Sequence, residues 1–216
     1  LANGFIGQET NGAGGIFKAF RTIPVILDII KDMRQLCPNA WLVDFTNPAG
    51  MVTEAAIKYG KWEKTVGLCN VPFGHINQAC EVLEAAEADL YFKFAGLNHF
   101  HWHRVWDKHG NERTAEVIEK IYSPENSVKT DEGIKNIHLI PFNYDQVKHL
   151  GILPCAYHRY YYLQEPMLEH ALEEFAQYET RAEVVKQTEA RLFELYKDVN
   201  LNYKPEELSQ RGGAHY

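Results

Sequence analysis

Cys69 and His99 each stand at the end of a strand-like segment and are the first candidates for chemistry. A thiolate and an imidazole are common ligands of divalent transition metals. The two residues lie 30 positions apart (99 − 69), so they form no local metal-binding motif. A cysteine by itself is more often a small buried core residue. The sequence pattern alone therefore leaves two roles open for Cys69 and His99, metal binding and core packing.

Three histidines, His99, His101 and His103, alternate with other residues, so in a strand they would share one face. Such a face is one arrangement that binds a metal. Because these histidines lie next to Trp102 and Trp106, we favour packing or hydrogen bonding for them.

An aromatic cluster follows Pro154. It contains one arginine and four tyrosines: Tyr157, Arg159, Tyr160, Tyr161 and Tyr162. Core packing is one explanation. A tyrosine also acts as a base where a nearby cation lowers its pKa from about 10. The chain has no Gly-x-Ser-x-Gly motif or other hydrolase nucleophile motif.

The glycines at 12, 14 and 15 do not match the Gly-x-Gly-x-x-Gly spacing of a dinucleotide-binding loop. The segment before them is also too polar for a buried strand. We interpret them as a turn that begins a helix.

The elements that must position these residues alternate between strands and helices. The predicted order is a helix from Gly14 to Leu36, a strand Trp41–Thr46, a helix Met51–Tyr59, a strand Thr65–Cys69 and a helix Phe73–Ala86. This alternation predicts an α/β fold with a parallel sheet, and ligands bind such sheets at the carboxyl ends of the strands. Those ends are Asn47-Pro48 and Cys69-Asn70.

The pattern changes near Asp89. We expect strands at Leu90–Leu97 and Phe100–Val105, a hairpin turn at Asp107–Asn111 and a long helix from Glu165 to Asp198. We therefore place a domain boundary near Asp89, with an α/β domain at 1–88 and an α+β domain at 89–216.

Composition excludes several classes of protein. The 216 residues carry 22 Lys+Arg and 29 Asp+Glu, a net charge of −7, which argues against nucleic-acid and anionic-membrane partners. No apolar run is long enough to span a membrane. Four cysteines in a chain of this size do not indicate a disulfide framework, so we expect a cytoplasmic protein. We expect both ends, Leu1 and Tyr216, to be cuts through a longer protein.

Five motifs occur in order along the whole chain. They are Ile6-Gly7-Gln8-Glu9-Thr10, Asp44-Phe45-Thr46-Asn47-Pro48, Gly67-Leu68-Cys69-Asn70-Val71-Pro72, Gly96-Leu97-Asn98-His99-Phe100 and Arg211-Gly212-Gly213-Ala214-His215-Tyr216. Together they resemble the family 4 glycoside hydrolases, in particular the 6-phospho-β-glucosidases. The resemblance implies that residues 1–88 are the latter part of an NAD-binding Rossmann-like domain. It also implies that residues 89–216 are an incomplete, lactate-dehydrogenase-like α+β domain that binds substrate and metal.

The resemblance also implies the cofactors and the site. These are NAD and a divalent metal, usually manganese, with Cys69 and His99 as the metal ligands and His101 and His103 as structural residues. The substrate would be a phosphorylated sugar, contacted by Asn47, Asn70 and Asn98, with Arg211 on the 6-phosphate. Asn70 favours β-linkages, because relatives that act on α-linked substrates tend to carry Asp beside the cysteine. We also expect a homo-oligomer, a dimer or a tetramer.

The implied activity is hydrolysis of 6-phospho-β-glucosides by redox elimination. Oxidation at carbon 3 by NAD makes the proton on carbon 2 acidic, and Tyr157 is the implied base, with Tyr160 to Tyr162 as alternatives. The metal stabilises the negative charge that develops on the neighbouring oxygens. The aglycone then leaves from carbon 1, water adds and the hydride returns, so no carboxylate pair is needed.

The chain departs from the family in lacking the first βαβ unit with its Gly-rich NAD loop, so roughly half of a family member is present. We therefore expect the isolated segment to be unable to hold NAD. Two alternatives stay open: an NAD-dependent 2-hydroxy-acid dehydrogenase of the lactate/malate type, which needs no metal or thiol, and an inactive fragment.

Overall fold

The computed structural model describes residues 3–125, 137–177 and 181–208. In chain order, the elements are α1 Gly12–Leu36, β1 Leu42–Asp44, α2 Ala49–Lys58, β2 Thr65–Gly67, α3 Val71–Leu83, β3 Leu90–Leu97, β4 Phe100–Asp107, α4 Thr114–Tyr122, α5 Tyr144–Leu150, β5 Leu153–Pro154, α6 Arg159–Tyr162, α7 Gln164–Gln177 and α8 Arg181–Leu195. Short 3₁₀ turns precede β3 and α6. Within the described ranges, no helix combines the length and apolar character needed to cross a bilayer.

The first part of the fold is a parallel pair of strands, β1 and β2, in which Val43 lies opposite Val66. Helices α1 and α2 pack against each other beside this pair, and Ile30, Ala56 and Trp62 form their shared core. Apolar side chains at helical spacing give α1 the buried stripe for this contact. The two strands are parallel, so their carboxyl ends meet at one edge of the pair.

The second part is an antiparallel three-stranded sheet in the order β3-β4-β5. Its core lies between this sheet and helices α3, α4 and α5. The buried apolar members of that core are Ala79, Val82, Leu83, Val105, Val117, Ile118, Phe142, Val147 and Leu153. The predicted mixed α/β fold, a parallel sheet followed by an antiparallel one, is therefore confirmed.

Two local predictions can be compared with the structure. The predicted turn at Asp107–Asn111 is present: the Asp107 carboxylate accepts backbone hydrogen bonds from His109 and Asn111, and the turn closes on an antiparallel bridge between Trp106 and Glu112. A second tight turn, at Asn98 and His99, joins β3 to β4, with Leu97 opposite Phe100. In the range predicted as one long helix, the structure describes two, α7 and α8, with residues 178–180 outside the described residues.

Buried histidines are an unusual feature of the interior. His158 is fully buried, and neither ring nitrogen has a hydrogen-bond partner among the described residues. The rings of Phe100 and Trp102 surround it, with centroids at 4.8 and 4.4 Å. Burial, with a smaller contribution from His101, lowers the pKa of His158 to about 4.

This lowered pKa makes stability depend on pH. Below about pH 6.5, His158 takes up a proton in the unfolded chain. In the folded chain it takes up that proton only near its lowered pKa of about 4. The free energy of unfolding therefore falls as the pH falls from about 6.5 to about 4. From pH 7 to pH 5, we expect the free energy of unfolding to fall by on the order of 1–2 kcal/mol more in the parent chain than in His158→Phe, as measured by denaturant unfolding. His109→Phe, at an exposed position, should keep the parent's pH dependence. An unchanged pH dependence in His158→Phe would contradict the prediction.

Candidate functional site

The fold brings Cys69 and His99 together, with Sγ 3.6 Å from Nε2. Cys69 lies between the end of β2 and the start of α3, whereas His99 lies in the tight turn between β3 and β4. His99 has a φ of +58°, in the left-handed region that few non-glycine residues adopt. This turn aims the imidazole away from the sheet ladder and towards Cys69.

Hydrogen bonds select the tautomer of His99. The Thr10 hydroxyl donates to Oε1 of Gln8 at 2.9 Å and lies 3.1 Å from Nδ1 of His99. A hydroxyl that has used its proton accepts from Nδ1–H. The Nε2 lone pair therefore faces the sulfur of Cys69, which is how a hydrogen-bonded second partner orients a metal-binding histidine.

The Cys69–His99 pair has the donor types and spacing for a transition metal. Metal–sulfur and metal–nitrogen bonds of about 2.3 Å and about 2.1 Å at a tetrahedral angle place the two atoms about 3.6 Å apart. His99 is 2% exposed, and burial is the main cause that lowers its pKa to about 4, against an opposing effect of Glu9. The imidazole is thus neutral at pH 7, as metal binding requires.

Tyr157 stacks directly on His99, with ring centroids 3.6 Å apart and ring planes 9° apart. Two other tyrosines of the cluster are more exposed: Tyr161 is 42% exposed and accepts a hydrogen bond from Asn11, and Tyr162 is 37% exposed. Tyr160 packs beside Tyr157, with ring centroids 6.3 Å apart, in the core cluster that Cys69 also contacts. Burial, and secondarily Glu9, raises the pKa of Tyr160, which disfavours it as a base. The stacking on His99 therefore favours Tyr157.

Asn47 is connected to the site through Glu9, for which the sequence predicted no role. Its side chain donates to Oε1 of Glu9 at 2.9 Å, and Lys18 forms an ion pair with Oε2 of Glu9 at 2.8 Å. Glu9 and Thr10 tie the segment before α1 to both Asn47 and His99. In the sequence, Glu9 and Thr10 stand out only as members of the motif Ile6–Thr10, which does not indicate what either residue does.

The remaining predicted site residues are more dispersed. Asn70 is half-buried beside Cys69 at the N-cap of α3, where its side chain makes no capping hydrogen bond. Asn98 is exposed and faces a cavity of about 450 Å³ between α2 and the end of β2, which Thr53 and Leu68 also line. Arg211 lies outside the described residues.

His101 and His103 do not join His99. Because His99 occupies the turn, the three histidines do not form one strand face. His101 and His103 instead pack against His75 of α3, with ring centroids at 5.6 and 4.8 Å.

Comparison with known proteins identifies the family. The description "Family 4 glycosyl hydrolase" matches residues 1–85, and "Family 4 glycosyl hydrolase C-terminal domain" matches residues 94–216. The chain belongs to glycosyl hydrolase family 4. The family was therefore predicted correctly from the five motifs.

Relatives with assigned activities cover the whole chain. It is 50% identical over 216 residues to the probable 6-phospho-beta-glucosidase of Bacillus subtilis (strain 168) and 44% identical over 217 residues to the 6-phospho-beta-glucosidase of Escherichia coli (strain K12). These alignments take in 100% of this chain and 48% of each relative. The chain thus spans about half the length of the curated relatives it matches.

A solved structure is similar in fold. The 6-phospho-beta glucosidase from Thermotoga maritima, in a form with manganese, NAD+ and glucose-6-phosphate, is 33% identical with a TM-score of 0.72. The match covers 97% of this chain and 46% of that one.

The turn that carries His99 generates a prediction about Gly96. A Cβ on Gly96, whose φ is +130°, would lie 2.3 Å from the carbonyl oxygen of Phe100 and 2.7 Å from Cα of His101. Both are backbone atoms, so the hairpin must distort. We expect Gly96→Ala to lower the free energy of unfolding by about 2 kcal/mol more than Gly110→Ala, measured by chemical denaturation.

Gly110 is the matched control, since it also has a positive φ, +86°, but a methyl group at this position would meet no atom within 4 Å. Equal losses for the two substitutions would mean that crowding at Gly96 does not constrain the turn.

Proposed function

We propose that the protein that contains this chain hydrolyses 6-phospho-β-glucosides by redox elimination, with NAD and a divalent metal, manganese in particular. The observation that carries the proposal is the 3.6 Å approach of Cys69 Sγ to His99 Nε2. Family membership and the names of the relatives support the substrate class. The Thermotoga maritima structure with manganese, NAD+ and glucose-6-phosphate supports the cofactors.

Cys69 and His99 would hold the metal. A bound divalent ion supplies Lewis-acid stabilisation of negative charge on sugar oxygens, and NAD supplies a hydride acceptor. Two protein ligands leave coordination positions for two vicinal hydroxyls of the substrate. Thr10 holds the imidazole in the required tautomer through its contact with Nδ1.

Tyr157 would accept the carbon 2 proton at its phenolic oxygen. Its stacking on His99 places the ring beside the metal site, and a nearby cation lowers the pKa of a phenol. Its side chain is only 4% exposed, so the phenol itself is largely shielded from bulk water.

Asn47, Asn70 and Asn98 are the proposed sugar contacts, and Arg211 the proposed contact to the 6-phosphate. Asn70 beside Cys69, in place of aspartate, supports a β-linkage, as do the two relatives named above. The same relatives favour this function over the 2-hydroxy-acid dehydrogenase, which would not need the Cys69–His99 pair.

Location and assembly are part of the proposal. The four cysteines, all in described positions, form no disulfide, which supports a reducing cytoplasm. The homo-oligomer, a dimer or tetramer, stays a prediction that light scattering can test.

The metal ligands are tested by Cys69→Ser in the protein that contains this chain. Losing the thiolate should weaken Mn²⁺ binding by about 100-fold or more in calorimetric titration. Residues that only hydrogen-bond to metal ligands change metal affinity by about 10–100-fold, and a ligand itself contributes more. Hydrolysis of p-nitrophenyl 6-phospho-β-glucoside should fall with it, while lactate and malate should not be oxidised.

Cys37→Ser is the matched control, since Cys37 is exposed and lies outside the site. Unchanged metal affinity and activity in Cys69→Ser would remove the basis of the proposal, whereas no hydrolysis in the parent protein would favour an inactive one. Hydrolysis by isolated residues 1–216 without added NAD would contradict the requirement for NAD.

The base is tested by Tyr157→Phe. Phenylalanine preserves the ring that stacks on His99 but removes the proton acceptor, so we expect kcat to fall about 10²- to 10⁴-fold with Mn²⁺ affinity unchanged. Exchange of the carbon 2 hydrogen with deuterated solvent should be lost as well. Tyr161→Phe, at an exposed position, should retain both hydrolysis and hydrogen exchange. If Tyr161→Phe lost them and Tyr157→Phe retained them, the base would be Tyr161.

A further inference from the structure

A second group of potential metal ligands lies in the interior, apart from the Cys69–His99 pair. It consists of His75, His101 and Cys155, whose ligand atoms all lie within 4.8 Å of one another. The three side chains are 4%, 7% and 0% exposed. They come from three elements: α3, β4 and the segment after β5.

Two polar atoms of this group have no hydrogen-bond partner among the described residues, Nε2 of His75 and Nε2 of His101. A buried polar atom without a partner is unfavourable and calls for a ligand, ion or water. The ring of His101 hydrogen-bonds to the backbone of Leu97, which leaves Nε2 as the atom available to a ligand. A backbone partner on the other ring nitrogen is typical of a metal-binding histidine.

The charge state of His75 suits a donor. Burial is the main cause that lowers the pKa of His75 to about 3. This ring is therefore neutral at pH 7, with a lone pair available to a metal, and the unpartnered Nε2 of His101 lies beside it. An ion accepting these lone pairs would satisfy both imidazoles at once, and the Cys155 sulfur lies within reach as a third ligand atom.

We propose that His75, His101 and Cys155 form a second metal site, for a borderline-soft divalent cation of the Zn²⁺ type. Two imidazoles and a thiolate suit Zn²⁺ and Co²⁺, whereas Mg²⁺ and Ca²⁺ prefer oxygen donors. Mn²⁺ binds such donors most weakly in the first-row series. The fourth position of a tetrahedral ion falls to water or to His103, whose Nδ1 also lacks a partner among the described residues and whose ring stacks on His75.

This site would cross-link the segments that carry the proposed active-site residues. His75 lies six residues after Cys69 (75 − 69), His101 two after His99 (101 − 99) and Cys155 two before Tyr157 (157 − 155). An ion bound to all three would thus hold α3, β4 and the segment after β5 in one arrangement. Its role is structural, and its existence does not depend on the proposed function.

Co²⁺ is the probe for the test, because a cobalt–thiolate bond gives a near-ultraviolet charge-transfer band. The full 216-residue chain carrying Cys69→Ser, stripped with chelator under reducing conditions, excludes a thiolate contribution from the first site. We expect this variant to develop the band with one equivalent of Co²⁺. Adding Cys155→Ser should abolish the band and weaken Co²⁺ binding at least about 100-fold.

Cys80→Ser in the same background is the matched control, since Cys80 lies on α3 but outside the group. It should keep the band. If circular dichroism shows that the Cys155 variant is unfolded, His75→Gln replaces it, with Co²⁺ binding expected to weaken about 100-fold or more, as for any lost ligand, while the thiol remains. No band in the Cys69→Ser chain, a band that survives Cys155→Ser, or unchanged affinity in His75→Gln would each overturn the proposal.

Discussion

Cys69 and His99 approach to 3.6 Å because two chain turns end at the same place. One follows β2, at the carboxyl edge of the parallel pair. The other is the β3–β4 turn, where His99 adopts a positive φ and Gly96 allows the two strands to come close. The energetic cost of a left-handed histidine is about 1–2 kcal/mol, and it is offset by the contacts His99 makes with Thr10 and Tyr157. The rest of the site is arranged around this turn.

The segment before α1 connects the two halves of the site. Thr10 contacts His99, while Glu9 binds both Asn47 and Lys18. These polar contacts are partly shielded from water, so each contributes more than an exposed ion pair would. The charge balance at Glu9 also acts on its neighbours, because its carboxylate opposes the lowering of the pKa of His99 and raises that of Tyr160. The segment therefore influences position and protonation together.

Buried imidazoles serve different purposes in this fold. His99 has a hydroxyl, a thiol and an aromatic ring around it, so both of its nitrogens have partners. His158 is surrounded mainly by aromatic rings and is held neutral by burial. His75 and His101 have neighbouring donor atoms but unsatisfied Nε2 positions. The same residue type thus packs among aromatic rings in one place and lies beside other donor atoms in another, according to what its nitrogens face.

Local patterns along the chain were enough to predict the strand–helix alternation around Asn47 and Cys69, because periodicity and turn residues act over a few positions. They also located the turn at Asp107–Asn111, whose composition is typical of a turn, but gave no role to the second turn at Asn98 and His99, which depends on the β3–β4 ladder of hydrogen bonds. Residue type could not separate Tyr157 from three nearby tyrosines, nor group His75 with Cys155, 80 positions away (155 − 75). Distances between segments depend on how the chain closes on itself, and only the tertiary structure contains them.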